Sequence, residues 1–213
     1  MDFEDAELYR DITGFAHGTP TWVRHVAETW TEAGLLLFGA LFAVTWWRAR
    51  RDTTRAFAIA VLAPLATAVA YVCSELLKSG FTQERPCRAV ADATAPLSAC
   101  PPPGDWSFPS NHATIAGAAT VALALTGRAL LWLTAPAALL MAFSRVFVGV
   151  HYPHDVAAGL VLGAVVAVTA VRLGTGPAIR LAEAMRGAPA PAVRWFTGPG
   201  PDRAPSYHPG AGR

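Results

Sequence analysis

The chain has 213 residues, 53% of them hydrophobic and 15% charged, with a formal net charge of +2. An average globular chain carries roughly 25% charged residues. So much apolar content excludes disorder for the body of the chain, and the lack of any sustained Gly triplet or heptad excludes a rod. With 3 cysteines the chain cannot be a small disulfide scaffold either.

Residues 1–32 are acidic: Asp2, Glu4, Asp5, Glu7, Asp11, Glu28 and Glu32 stand against Arg10 and Arg24. This stretch is too polar to cross a bilayer. It predicts one or two interfacial helices, with Trp22 and Trp30 at headgroup depth. Met1-Asp-Phe-Glu-Asp lacks the basic start of a cleavable signal, so the first span is expected to stay attached.

Beyond this point Asp, Glu, Lys and Arg are missing from residues 33–47, 56–74, 113–127, 129–144 and 156–171. A bilayer core needs about 20 apolar residues, and only residues 56–74 reach that length unaided. The other runs become long enough when their flanking polar residues lie at headgroups or line an internal site. Five such runs leave too little polar surface for a soluble domain of this size. The fold expected is therefore an all-α integral membrane bundle of about five transmembrane helices. Residues 1–32 would form an extracytoplasmic segment and 33–173 the membrane domain. Residues 174–213 would be a cytoplasmic Arg/Pro/Gly-rich tail, largely disordered.

Charge sets the expected orientation. The connection after the first run holds Arg48, Arg50, Arg51 and Arg55, and the tail holds Arg180, Arg186, Arg194, Arg203 and Arg213. Cytoplasmic loops collect Lys and Arg, so five crossings put the N-terminus and the 78–110 loop outside. The Arg-rich pieces lack interleaved aromatics and flank spans, which speaks against nucleic acid. Cys87 and Cys100 both lie in the outer loop, where a disulfide can persist, and they are expected to pair.

Three polar clusters fall at span ends on that same side: Lys78 to Pro86, Pro109-Ser110-Asn111-His112, and Ser144-Arg145 followed by His151-Tyr-Pro-His154-Asp155. Polar residues at membrane depth are expensive and usually functional. Lys78, the only lysine in the chain, makes a cationic pocket with Arg85 and Arg145, and such groups match phosphate oxygens. Ser110 stands where an N-cap would stand, turning the first N–H groups of the third span outward as an anion site, with His112 in the first turn. His151 and Asp155 are four residues apart, a spacing that puts both on one helical face. A carboxylate on one ring nitrogen fixes the tautomer and leaves the other nitrogen free to attack. No carboxylate cluster suited to a metal pair is present. These residues point to metal-free, cofactor-free phosphoryl transfer through a phosphohistidine. Glu75 is expected to pair with Lys78, Glu84 and Asp105 to be solvated loop charges, and His154 to have at most a supporting role.

The same residues resemble the three signature motifs of the type-2 phosphatidic acid phosphatase superfamily, which includes lipid phosphatases and vanadium haloperoxidases. The motifs are Lys78-x6-Arg85-Pro86, Pro109-Ser110-Asn111-His112 and Ser144-Arg145-x5-His151-x3-Asp155. The resemblance implies His151 as nucleophile, Asp155 as its partner and His112 as acid to the leaving oxygen. It implies Lys78, Arg85, Ser110, Arg145 and the Asn111 backbone N–H as phosphate ligands. Asn111 stands where the family commonly has Gly, and a polar residue there resembles bacterial polyprenyl-diphosphate phosphatases. The expected activity is removal of phosphate from a membrane lipid phosphate or diphosphate at the outer leaflet, undecaprenyl diphosphate first. Phosphatidate, phosphatidylglycerophosphate and phosphorylated prenyl-sugar lipids are the alternatives, and a non-catalytic lipid-binding protein is the rival of another class.

Overall fold

A computed structural model describes residues 3–201, which form only helices and their connections. In chain order these are α1 (Phe3–Gly18), α2 (Thr21–Ala49), α3 (Thr54–Gly80), the single turn α4 (Pro86–Ala89), α5 (Asn111–Thr126), a 3-10 turn (Arg128–Leu130), α6 (Leu131–Phe147), α7 (Pro153–Arg186) and α8 (Pro191–Thr197).

Helices α2, α3, α5, α6 and α7 make the bundle, and α5 sits in its middle, touching the other four. The sequence of α5 explains this place. Ala113, Ala116, Gly117, Ala118, Ala119 and Ala122 are all buried, and small residues let helix backbones come close where no solvent drives them together. The contact with α7 is the tightest. A Cβ at Gly163 would lie 2.0 Å from the Thr114 carbonyl oxygen, one at Gly159 2.6 Å from that of Ser110, and one at Gly117 2.4 Å from that of Leu160. Phe38, Leu123 and Met141 fill one flank of α5, while the other is packed by the small residues Ala66, Ala70 and Ala167 with Val171.

The outer faces carry the opposite pattern. Leu36, Val69, Trp132, Leu139, Val161, Val165 and Leu173 are exposed, a continuous apolar surface that suits lipid and not water. Four segments are long and apolar enough to cross a membrane: Thr21–Ala49, Thr54–Gly80, Arg128–Phe147 and Pro153–Arg186. The fifth bundle helix, α5, has 16 residues, about 24 Å at 1.5 Å per residue, and is enclosed by the others. The five expected crossings are thus five bundle helices, one of them short.

Two boundaries differ from those expected. The division at residues 32/33 falls inside α2, which runs unbroken from Thr21 because no Gly or Pro stands between Pro20 and Gly34. Thr31, Gly34 and Phe38 form its buried stripe while Glu32 stays exposed, so charge on one face does not end the helix. At the other end, the stretch from residue 174 expected as a largely disordered tail continues as α7 through Gly174 and Pro177 to Arg186. Helix α8 then folds back, with Trp195 and Phe196 against Trp46. Residues 202–213 of the expected tail lie outside the described residues.

Gly163→Ala tests the α5–α7 contact, since its Cβ meets main chain and not a movable side chain. Overpacking of this kind costs about 1–3 kcal/mol. The variant should melt several degrees lower in detergent, whereas Gly176→Ala on the same helix, with nothing within 4 Å, should not.

Candidate active site

All three polar clusters arrive at one end of the bundle, because α3 and α6 end there and α5 and α7 begin there. The starts of α5 and α7 are tied by a backbone hydrogen bond from the Ser110 N–H to the Asp155 carbonyl, 3.1 Å. Pro153 at the first position of α7 suits a helix start and sets His151 just ahead of the helix, with Asp155 in its first turn.

His151 is buried, with its two nitrogens in different company. Nδ1 lies 3.3 Å from Asp155 Oδ2, and Nε2 lies 3.0 Å from Arg85 Nη1. A guanidinium can only donate, so Nε2 accepts and the ring proton sits on Nδ1, donated to Asp155. Burial, with the nearby Arg85 and Arg145 charges and against the pull of Asp155, holds the His151 imidazole down to about 4. The ring is therefore neutral at pH 7, with its lone pair on Nε2. Asp155 Oδ2 also accepts from the Tyr152 N–H at 2.9 Å and from the Ser107 hydroxyl.

Arg85 joins the histidine to the outer loop. Its Nη1 also donates to the Val150 carbonyl at 3.0 Å, its Nη2 to Asp105 Oδ1 at 2.8 Å, and its Nε to the Asp105 carbonyl at 2.8 Å. Lys78 Nζ stands 3.5 Å from the same Asp105 oxygen and 3.6 Å from Glu75. Asp105 is thus no solvated loop charge, contrary to expectation. Burial alone would raise its carboxyl, but the Arg85 hydrogen bond and charge, with Lys78, hold it below the usual carboxylate range. The loop that delivers it is stapled by a Cys87–Cys100 disulfide, Cα to Cα 6.1 Å.

Ser110, His112 and Arg145 complete the set. Ser110 Oγ, His112 Nε2 and Arg145 Nε are buried and have no hydrogen-bond partner among the described residues. The Glu32 carboxylate is 3.7 Å from His112 Nε2. Asn111 turns its side chain to α3, accepting from the Ser74 hydroxyl at 2.7 Å and donating to Glu75 at 2.5 Å. Among the described residues no His, Cys, Asp or Glu side chains gather in a group of three that could hold a metal ion.

The structure adds groups that spacing did not reveal. Ser107 is fully buried, with its N–H on the Gln83 carbonyl at 2.8 Å and its hydroxyl on Asp155. His154 lies between Asp5, 2.6 Å, and Asp155, 3.0 Å, and so links α1 to the histidine turn. Tyr9 of α1 donates to the Gly149 carbonyl at 2.9 Å, and burial pushes its hydroxyl up to about 12. Gly149 has φ 84° and a Cβ there would press on Pro96, so this turn requires glycine.

Residues 59–176, which hold every one of these clusters, match the PAP2 superfamily. The chain belongs to the PAP2 superfamily. It is 37% identical over 120 residues to an undecaprenyl-diphosphatase of Sulfolobus acidocaldarius, a match covering 55% of this chain and 57% of that protein. It is 36% identical over 145 residues to a decaprenylphosphoryl-5-phosphoribose phosphatase of Mycobacterium tuberculosis, covering 67% of this chain and 73% of that one. Its fold is that of a transmembrane PAP2-type phosphatidylglycerolphosphate phosphatase from Bacillus subtilis, with a TM-score of 0.61 at 22% identity over 81% of this chain and 87% of that one. With four helices long and apolar enough to cross a membrane, this PAP2 chain is a multi-pass membrane protein.

Ser107 makes a test particular to this PAP2 site. Ser107→Ala removes a donor from Asp155, and leaving a buried acceptor short costs about 1–3 kcal/mol. The expected result is a fall in kcat of about tenfold with KM little changed, and recovery in Ser107→Thr, which keeps the hydroxyl. Equal losses in both variants would mean that packing alone is at stake.

Proposed function

We propose that this protein is a metal-independent lipid phosphatase that removes the terminal phosphate of an undecaprenyl (polyprenyl) diphosphate at the extracytoplasmic leaflet. The observation that carries the reading is the neutral His151, its proton held by Asp155 and its Nε2 lone pair beside the Arg85 guanidinium. Ser110 Oγ, His112 Nε2 and Arg145 Nε, buried without hydrogen-bond partners among the described residues, support it, because buried polar atoms ordinarily find one and a phosphate would supply acceptors for them.

The chemistry follows from that placement. Arg85, Lys78, Arg145, Ser110 and the first N–H groups of α5 hold the terminal phosphoryl oxygens. His151 Nε2 attacks phosphorus, the bond to the bridging oxygen breaks, and His112 gives its proton to that oxygen, releasing the lipid monophosphate. Water then attacks phosphorus, its proton passes to His112, and the N–P bond breaks to free phosphate and His151. Asp155 stabilises the positive ring throughout. The donors around the phosphate are cationic or N–H groups, so the charge of the transition state is met without a metal.

Orientation is part of the proposal. Arg48, Arg50, Arg51 and Arg55 lie at the end of the bundle away from His151, and Lys and Arg accumulate on the cytoplasmic side. The disulfide of the 87–100 loop agrees, since such bonds persist outside the cytoplasm. The site then meets carrier lipid released on the outer surface. A second reading is favoured by one feature. Beside Lys78 lies a cavity of about 370 Å³ lined by Glu75, Lys78, Ser79, Gly104, Asp105 and Trp106. Carboxylates beside an aromatic ring suit hydroxyl groups, which favours a phosphorylated prenyl-sugar lipid. Phosphatidate and phosphatidylglycerophosphate stay as further alternatives.

Phosphate release in excess EDTA, measured side by side on polyprenyl diphosphate, a prenyl-phosphoryl sugar phosphate, phosphatidate and phosphatidylglycerophosphate, tests the reading. Polyprenyl diphosphate should give the highest kcat/KM, by about tenfold or more, a transition-state preference above 1.4 kcal/mol. Preference for the sugar lipid would replace the first reading by the second, and activity that vanishes until magnesium is added would refute both. On a Cys73→Ser background with the disulfide cysteines replaced, an impermeant maleimide should label Thr94→Cys in intact cells and Arg51→Cys only after lysis; the reverse would invert the orientation.

A further inference from the structure

The end of the bundle remote from His151 holds a second cationic cavity that takes no part in the chemistry above. Helix α8 lies back on the bundle there, with the Trp195 and Phe196 rings 5.6 Å from Trp46 and Phe196 5.7 Å from Phe57. The turn after α8 closes on Arg50. The Gly200 N–H donates to the Arg50 carbonyl at 3.0 Å, and a Cβ at Gly198 would lie 2.4 Å from that oxygen. Gly198 and Gly200 have φ of 69° and 76°, the left-handed region where glycine is at home. Between α7, α8 and this turn is a cavity of about 640 Å³, lined by Arg186, Pro191, Arg194, Trp195, Gly198 and Pro199.

The charge in this cavity is not balanced by ion pairs. Arg186 donates to two neutral acceptors, Thr54 Oγ1 and the Asp52 carbonyl, both at 3.1 Å, and lies over the Phe57 ring. Its Nε and that of Arg50 are buried without a hydrogen-bond partner among the described residues. Arg194 is exposed on the cavity wall, and neither it nor Arg186 makes an ion pair among the described residues. Arg50 is packed over the Trp46, Trp47 and Trp195 rings. The acidic groups nearest in sequence are Asp52, Glu183 and Asp202, the last outside the described residues, against six arginines at 48, 50, 51, 55, 186 and 194.

We propose that this cavity binds the headgroup phosphate of an anionic phospholipid, with Arg186 and Arg194 as its ligands. Guanidinium groups match phosphate oxygens in pairs, and basic pockets between transmembrane helices take anionic head groups. The surroundings select lipid over a free anion. Trp195 on the cavity wall is 60% exposed and Trp47, under the same Arg50 guanidinium, 53%, and indole rings so placed sit at headgroup level with acyl chains beside them. Among the described residues none that lines the cavity is a nucleophile or general acid, so the lipid is bound and not turned over. Occupied, it joins the end of α7 and α8 to the α2–α3 connection.

The test is thermal unfolding of the full chain in neutral detergent, with phosphatidylglycerol, phosphatidylcholine or inorganic phosphate added. Phosphatidylglycerol has only a diester phosphate and offers the catalytic site no terminal phosphate. It should raise Tm by about 3 °C; phosphatidylcholine should not, and any shift with inorganic phosphate, which the catalytic site can take, should be the same in Arg194→Gln. Arg194→Gln should lose most of the phosphatidylglycerol shift while its phosphatase rate in detergent stays within about twofold, and Arg194→Lys, which keeps charge but not the fork, should keep part of it. The same shift with phosphatidylcholine, a shift with inorganic phosphate that Arg194→Gln removes, or an undiminished phosphatidylglycerol shift in Arg194→Gln would each overturn the proposal. Because Tm and not turnover is read, the result is independent of the catalytic assignment.

Discussion

The backbone contact between α5 and α7 is the constraint on which the rest depends. Gly117, Gly159 and Gly163 remove the side chains that would hold the two helices apart, and each faces a carbonyl oxygen of the other helix. The helices meet near the ends that carry the reacting groups, so the Ser110 N–H bonds the Asp155 carbonyl. Two motifs some forty residues apart in sequence become one site. In lipid, packing and not water-driven burial must hold helices together, and the dense run of alanines through α5 supplies that packing.

This arrangement collects Lys78, Arg85 and Arg145 at one place, a costly group unless counter-charge is at hand. Asp105 provides part of it. Its carboxylate meets Arg85 and Lys78, the two cations proposed for phosphate, from a loop braced by the Cys87–Cys100 bond. On the proposed function, a lipid phosphate entering the site would compete with a carboxylate for the same donors. The free site is thereby kept folded around its charges without being closed, and Ser110, His112 and Arg145 keep donors in reserve.

Much of this was legible in the sequence, for identifiable reasons. The bundle showed in the charge-free runs, because a bilayer imposes length and apolarity on every span. Lys78, Arg85, Ser110, His112, Arg145, His151 and Asp155 stood out because they fall in three polar clusters on one side, and polar residues at membrane depth are costly and usually functional. The boundaries were harder. Charge on the exposed face of α2 and beyond Gly174 on α7 looked like the end of helix, since composition along a chain does not say which face a charge occupies. Ser107 and Asp105 were invisible as site residues. A serine and an aspartate in a Pro-rich loop have no periodicity, and their value comes only from where the braced loop lands. The pairing of Asp5 and His154 spans almost the whole domain and has no local signature.

The central claim is that phosphorus is carried on His151 Nε2, and rapid quenching with substrate labelled at the terminal phosphate tests it most directly. Within the first turnover the protein should carry label that is stable to alkali and lost in acid, and the labelled peptide should contain His151. Unlabelled protein at full turnover, or label that persists in His151→Ala, would contradict the account.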